Sequence, residues 1–342
     1  MIRIGIICPS EIAFRRFLPA ISKTDEFKYI GVAIANEDEW SGSDQLKIDE
    51  FLKHEYKKAK GFVEAYGGVI YRGYKNLIQS NDIDAIYLPL PPAIHYKWAM
   101  LALENGKHVF IEKPATTNAN DTKALIKFAK KRNLALHENY MFVFHNQLEI
   151  LKKMVDEKFI GHVRLYRIAF GFPRRDNRDF RYKKDLGGGA LLDCGGYTIR
   201  LASMILGDTA RIVYSSLSYI DEFDVDVYGS GAMINNQGDT VQISFGMDNN
   251  YKCELEIWGS KGSIYTGRVL TAPAGFEPEV VVKIGNKKAE IKRLPADDTF
   301  LKSIKKFSDC INNVNIREEN YQIILKQAKY VDEFRNRLEV KK

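Results

Sequence analysis

Three side chains stand out for the chemistry their types and spacing allow. Lys113 leaves the carboxyl end of an apolar run, residues 108–111, and is followed by Pro114. A lysine at that end of a parallel strand opens into the crevice where α/β sheets bind ligands, and the proline after it fixes its backbone. Asp193 and Tyr197 are four residues apart in a helical stretch, so they share a face. An amine, a carboxylate and a phenol are groups of proton-transfer chemistry. Gly195 and Gly196 lie between the last two, at a cost of roughly 1 kcal/mol each in a helix interior. Something packs closely there: a nicotinamide ring or a sugar, or the sheet beneath the helix.

A dinucleotide site needs a strand, a turn and a helix start with the pattern G-x-G-x-x-G/A, because glycines let the backbone approach the pyrophosphate. The first strand leads instead into Cys8-Pro9-Ser10-Glu11-Ile12-Ala13. Two of the three glycines are replaced, and Pro9 removes an N–H. Cys8 and Ala13 are small enough for close strand–helix packing. Ser10 either donates its hydroxyl to the pyrophosphate or caps the helix. The second strand ends at Asn36, where a ribose-binding acid normally sits. An amide can bind ribose hydroxyls without repelling a 2′-phosphate, whereas Glu37 disfavours one if it points inward. The pattern leaves NAD(H) and NADP(H) open, leaning slightly to NAD(H); the alternative is that Asn36 only starts a turn.

The elements that must position these groups follow from hydrophobic periodicity. Up to about residue 139, β-branched runs (3–7, 29–35, 85–88, 108–111 and 134–137) alternate with helical patterns (12–22, 45–66, 95–105 and 121–132). That rhythm predicts a parallel sheet covered by helices. Beyond Tyr140 come a helix near 146–157, a strand at 162–170, an Arg-rich loop and a Gly-rich helix over 187–206. Period-two alternation at 225–227, 241–247 and 253–257 predicts a mostly antiparallel sheet. Turn signals at 235–238, 248–250 and 285–286 fit hairpins, and helices near 298–312 and 318–337 close the chain. The expected fold class is α/β: an N-terminal doubly wound parallel sheet of Rossmann type over 1–139, then an α+β domain with a large antiparallel sheet over 140–342.

Composition bounds the function. The 342 residues, 45% hydrophobic and 28% charged, suit a folded globular protein of two domains. Fifty-one Lys and Arg against 44 Asp and Glu leave a dispersed +7, which does not imply nucleic-acid binding. Cys8, Cys194, Cys253 and Cys310 form no C-x-x-C pair and have no His at ligand spacing, so no metal is expected, and such sparse thiols suit a reducing cytoplasm. Met1 leads straight into a strand with no pattern of a secretory signal. The most apolar stretch, 85–94, holds three prolines and is about half the length a bilayer span requires, so no membrane partner is expected.

Further motifs are more specific. The run from Ile86 through Pro89-Leu90-Pro91-Pro92 to His95, and the run from Ala102 to Glu112-Lys113-Pro114, resemble the Gfo/Idh/MocA oxidoreductases, the glucose–fructose oxidoreductase and inositol dehydrogenase family. Tyr74-Lys75-Asn76-Leu77, Glu138 to His145, Ile160 to Val163 and Gly187 to Asp193 extend the likeness over nearly the whole chain. The resemblance implies that Lys113 is catalytic, often before a cis proline, with Asp193 and Tyr197 beside it. Tyr197 takes the proton-transferring position, and a nearby cation lowers a phenol's pKa from about 10 by roughly 1–3 units. Asp193 orients Lys113 or a substrate hydroxyl. The implied cofactor set is Cys8, Ser10, Glu11, Ile12, Asn36, Leu90, Pro91, His95, Glu112 and Lys113; the implied substrate set is Lys113, Glu138, His145, Arg181, Asp193 and Tyr197. Histidine 95 and His145 could equally cap or pack. Among the loop arginines, Arg174, Arg175 or Arg178 could meet the diphosphate of a nucleotide sugar, or the loop is simply solvated. The implied activity is NAD(P)-dependent hydride transfer to or from a carbohydrate, whether free sugar, cyclitol or nucleotide-linked sugar, by a homodimer or homotetramer. The alternative is a sensor of dinucleotide or sugar that keeps the fold without catalysis.

Overall fold

The computed structural model describes residues 1–40 and 47–337. One compact unit comprises Met1–Asn139 and Phe300–Leu325. Its elements are β1 (Ile2–Ile7), α1 (Leu18–Ile21, extending a wide turn at Ala13–Phe17), β2 (Phe27–Ile34), α2 (Ile48–Tyr66), β3 (Val69–Arg72), α3 (Tyr74–Gln79), β4 (Ala85–Leu88), α4 (Pro92–Glu104), β5 (His108–Ile111), α5 (Ala119–Lys131) and β6 (Leu136–Glu138). All six strands run parallel in the order β3-β2-β1-β4-β5-β6. The order reverses between β1 and β4, which opens the crevice at their carboxyl ends. Strand β4 is buried along its whole length, as a sheet covered on both faces requires. Phe17 stacks on Tyr87 at 3.9 Å, and Trp98 and Phe110 are fully buried.

The structure departs from the sequence pattern in this unit. The edge pair β3 and α3 carries no clear periodic signal, because β3 has only four residues and exposes Val69. The helix expected over 45–66 begins at Ile48, and Gln45 lies outside the described residues. The reading of consecutive domains also differs for residues 300–325. The elements α8 (Thr299–Asn312) and α9 (Val314–Asn336) return chain to the parallel sheet. Phe307 stacks on Phe27 at 5.8 Å and meets Phe110 edge-on, while Tyr321 and Ile324 join the core. Aromatic side chains buried this completely hold the segment where their apolar partners are.

The other unit comprises Tyr140–Thr299 and the chain from Lys326 onward. It contains α6 (Asn146–Asp156), β7 (Val163–Gly171), α7 (Gly196–Leu206), β8 (Arg211–Ser218), β9 (Tyr228–Ile234), β10 (Thr240–Gly246), β11 (Lys252–Gly259), β12 (Gly262–Gly267), β13 (Glu279–Ile284) and β14 (Glu290–Arg293). The eight strands follow the order β14-β13-β12-β11-β7-β10-β9-β8, antiparallel except for the pair β7 and β10. The turns at 235–238 and 285–286 join hairpin partners, but the one at 248–250 does not, because β7 lies between β10 and β11. The strand expected at 225–227 begins instead at Tyr228. Its glycines are sites of close packing: a Cβ on Gly229 would lie 2.6 Å from the Phe245 ring, and one on Gly231 2.4 Å from Phe334.

The helix expected over 187–206 also starts later. Gly187 and Gly189 have φ of 76° and 116°, so the glycine run is a turn that glycine alone adopts readily. Helical backbone follows as a wide turn, Leu191–Gly195, and then α7.

Candidate functional site

At the carboxyl ends of β1 and β2, Cys8 takes a left-handed φ of 79°, the conformation a glycine would supply in the fingerprint. Its N–H donates to the Ala33 carbonyl (3.1 Å), and its thiol approaches Glu55 Oε1 (3.6 Å). Glu55 reaches in from α2 and accepts the Ala35 N–H on Oε2 (3.2 Å), tying both strand ends together. Burial pushes the Cys8 thiol well up and raises the Glu55 carboxyl. Ser10 Oγ accepts the Ala13 N–H (3.2 Å), a cap on the helical turn. Glu11 and Ile12 are exposed, Glu11 pairing with Arg15 at 2.7 Å.

Asn36 is exposed at the end of β2, and a carboxylate does stand close by, turned inward. Glu39 is 2% exposed and accepts the N–H groups of Asn36 (3.0 Å), Tyr74 (2.8 Å) and Lys75 (3.0 Å). Lys75 Nζ meets Asp38 at 3.0 Å.

Lys113 leaves β5 through a cis bond to Pro114. His95 and Glu138 serve the backbone around it. His95 is fully buried, with Nδ1 2.9 Å from the Pro114 carbonyl and Nε2 2.6 Å from that of Leu90. Burial drives its pKa down to about 4, against the pull of these carbonyls. Both ring nitrogens lie against backbone carbonyls, between the Leu90–Pro91 turn and Pro114, and neither is left for a cofactor. Leu90 itself is buried and Pro91 partly so. Glu138 Oε1 accepts the Ala115 N–H (2.7 Å). Glu112 turns inward: its Oε1 accepts from Tyr87 Oη and Asn139 Nδ2, both at 2.7 Å. Ser303 Oγ donates to Asn139 Oδ1 (2.8 Å), and His137 Nε2 lies 2.9 Å from the same hydroxyl. Burial raises the Glu112 carboxyl, opposed by these hydrogen bonds and the Lys113 charge.

In the other unit, Asp193 Oδ2 accepts from Arg181 Nε at 2.6 Å. Arg181 also pairs with Asp179 (3.1 Å) and lies over the Phe180 ring (4.6 Å). Burial works against the guanidinium charge, and the two carboxylates outweigh it. Tyr197 is 7% exposed among the rings of Tyr140, Phe142 and Phe170, at 5.2, 5.6 and 5.3 Å, with its hydroxyl 3.9 Å from Met141 Sδ. The close packing expected at Gly195 and Gly196 belongs to the protein: a Cβ would lie 3.0 Å from Phe245 and 2.3 Å from the Tyr140 hydroxyl. No space remains there for a nicotinamide or sugar. His145, 2% exposed, caps α6 by accepting the Gln147 N–H (3.1 Å). Arg174 pairs with Glu222, Arg178 with Asp176 at 2.9 Å, and Arg175 lies over Phe172 at 5.2 Å.

Residues 15–140 match the family described as oxidoreductase family, NAD-binding Rossmann fold, and residues 148–265 match the GFO/IDH/MocA C-terminal domain. The chain is 36% identical over 334 residues to a dTDP-3,4-didehydro-2,6-dideoxy-alpha-D-glucose 3-reductase of Actinomadura kijaniata, covering 98% of this chain and 95% of that one. It belongs to the Gfo/Idh/MocA oxidoreductase family.

As a member, it is an NAD(P)-dependent enzyme that transfers hydride between a nicotinamide cofactor and a carbohydrate hydroxyl or ketone carbon; the reading as a sensor without catalysis is set aside. A 3-reductase of the same description from Saccharopolyspora spinosa is 34% identical over 90% of this chain and 86% of its own. The crystal structure of a 3-ketoreductase from Actinomadura kijaniata, KijD10, with NADP and TDP-benzene superimposes with a TM-score of 0.88 at 36% identity, covering 98% and 97% of the two chains. That relative has also been solved with a tyrosine replaced by phenylalanine and with a lysine replaced by alanine. Its NADP removes the support for a lean to NAD(H).

Sequence reasoning does not single out three acids that hold backbone N–H groups. Glu55 shares a buried helical stripe with Ala59 and Phe62, and an acid on such a stripe is a readable signal. Asp226 between two buried valines is another. Glu39, one of three consecutive acids, has no such mark.

Proposed function

We propose that this enzyme reduces the 3-keto group of a nucleotide-linked deoxysugar with NADPH. The observation that carries the reading is similarity over nearly the full length to reductases of dTDP-linked keto sugars. The left-handed Cys8 fits a dinucleotide, since it gives the turn a glycine's course without the glycine. When bound, the nicotinamide supplies the hydride. Cys8, Ser10 and Asn36 would hold the dinucleotide, with Glu11 and Ile12 on its open side and the Leu90–Pro91 turn and Glu112 beside the strand ends.

Tyr197 donates its phenolic proton to the carbonyl oxygen, and Lys113 is the cationic member of the set. Asp193, held on Arg181 at 2.6 Å, orients a sugar hydroxyl. His95, Glu138 and His145 act on backbone positions, through the hydrogen bonds described above. One face of the large sheet exposes Tyr214, Tyr228, Trp258 and Tyr265, and a second copy covering them gives the homodimer or homotetramer. With no disulfide among its four cysteines, the enzyme suits the cytoplasm.

The test is fluorescence titration with NADPH and NADH, then an absorbance assay at the nicotinamide band with a dTDP-linked 3-keto sugar and with free sugars. NADPH should bind more tightly, and the nucleotide sugar should turn over with the higher kcat/KM. Equal turnover of free sugars would refute the nucleotide-sugar assignment.

A further inference from the structure

We propose that Asp226 is a positioning residue for catalysis: it pins the first turn of the helical segment that carries Asp193 and Tyr197. The inference rests on the functional reading only through the roles given to those two residues.

A helix start leaves N–H groups that no earlier turn can accept. Ordinarily the residue just before the helix caps them with its own side chain. Here three glycines, Gly187 to Gly189, occupy that place and have no side chain to offer. Their neighbours supply the acceptors. Gly188 N–H donates to the Lys183 carbonyl and Gly189 N–H to the Arg181 carbonyl, both at 2.9 Å. Ala190 N–H donates to the Asp226 carbonyl (2.8 Å), and Leu191 N–H to Asp226 Oδ2 (2.6 Å). One residue, 35 positions further along, thus closes the helix start with both backbone and side chain.

Gly189 is what admits it. A Cβ there would lie 2.4 Å from Asp226 Oδ1, and its φ of 116° disfavours any side chain. The pinned turn is bonded to the site twice over. Arg181 receives Gly189 through its carbonyl and holds Asp193 through its guanidinium, so a shift of the helix start moves Asp193 against its partner. A negative carboxylate at a helix N-terminus is itself favourable. Arg335 of α9 and the Tyr219 phenol are the charged and titratable groups that face it.

The experiment compares Asp226→Ala, Asp226→Asn and Gly189→Ala by hydrogen–deuterium exchange over residues 187–195, NADPH titration, and kcat and KM for the keto sugar. Asp226→Ala should speed exchange and lower kcat about 10-fold or more, the scale of a displaced catalytic group, while leaving NADPH affinity unchanged. An asparagine oxygen still accepts the Leu191 N–H, so Asp226→Asn should restore both exchange and kcat. Unchanged exchange in Asp226→Ala, or faster exchange with wild-type kcat, would overturn the proposal. If Asp226→Ala does not fold, Gly189→Ala, which displaces the carboxylate, must show the same loss of kcat or the proposal fails. A wild-type enzyme inactive on every keto sugar would sink the functional reading instead, and the exchange arm would still decide whether Asp226 pins the turn.

Discussion

The helical turns after β1 and before α7 must both satisfy N–H groups that no preceding turn can take. The first does so locally: Ser10 accepts the Ala13 N–H three residues on, and Cys8 bears a left-handed φ of 79° without being glycine. The second does so remotely, with three glycines where a cap should be and Asp226 delivered from another part of the chain. Glycines are scarce at the turn where a dinucleotide would want them and abundant where the protein's own carboxylate arrives. A glycine run therefore reports that something comes close, not that it is a ligand.

Replacing the groups that the two regions serve should have the largest effect. Lys113→Ala and Tyr197→Phe should each cut kcat by about 10²–10⁴-fold, with an unchanged melting temperature; full activity in both would remove the catalytic assignment. Next comes Cys8→Val, which puts a β-branched residue at a φ of 79°. Urea unfolding should show a loss of about 1–3 kcal/mol, whereas Cys8→Gly should stay within about 1 kcal/mol of wild type. Equal stability of the two would mean that the turn is not held in the left-handed form.

Asp226 gives a pH test. Burial raises its carboxyl from 3.8 to about 6, against the pull of the Leu191 N–H and Arg335. A carboxyl whose folded pKa lies above its unfolded one favours the fold below the unfolded pKa, and that contribution is lost as pH rises through the folded value. Asparagine does not titrate. From pH 4 to pH 8, stability should therefore shift in favour of Asp226→Asn by about 1–3 kcal/mol, and a constant gap would show that the carboxyl is not perturbed. The smallest effect belongs to Ser10. Ser10→Ala should lose about 1 kcal/mol of helix cap. Ser10→Asp should keep the cap and weaken NADPH binding if the hydroxyl faces the pyrophosphate, and unaltered affinity would confine Ser10 to capping.

Much of the architecture was legible because it is written in local pattern. The apolar runs of β1, β2, β4 and β5 and the helices between them yield the parallel sheet, and alternation in β10 and β11 yields the other. What stayed hidden depends on distant partners. Strand β7 separates β10 from β11, although the turn between them looks like a hairpin. Lys113, Asp193 and Tyr197 could be named from spacing and family likeness, and the Asp193–Arg181 pair is present at 2.6 Å. The carboxylates Glu39, Glu55 and Asp226 accept backbone N–H groups 20 to 36 positions away, and the local pattern that marks Glu55 and Asp226 does not tell which N–H groups they meet.

The returning segment has a consequence for biosynthesis. When residue 139 has just been joined to the nascent polypeptide, Phe307, Tyr321 and Ile324 do not yet exist, and Phe27 and Phe110 lack the Phe307 ring. The parallel sheet thus completes its core only once residues 300–325 have been translated.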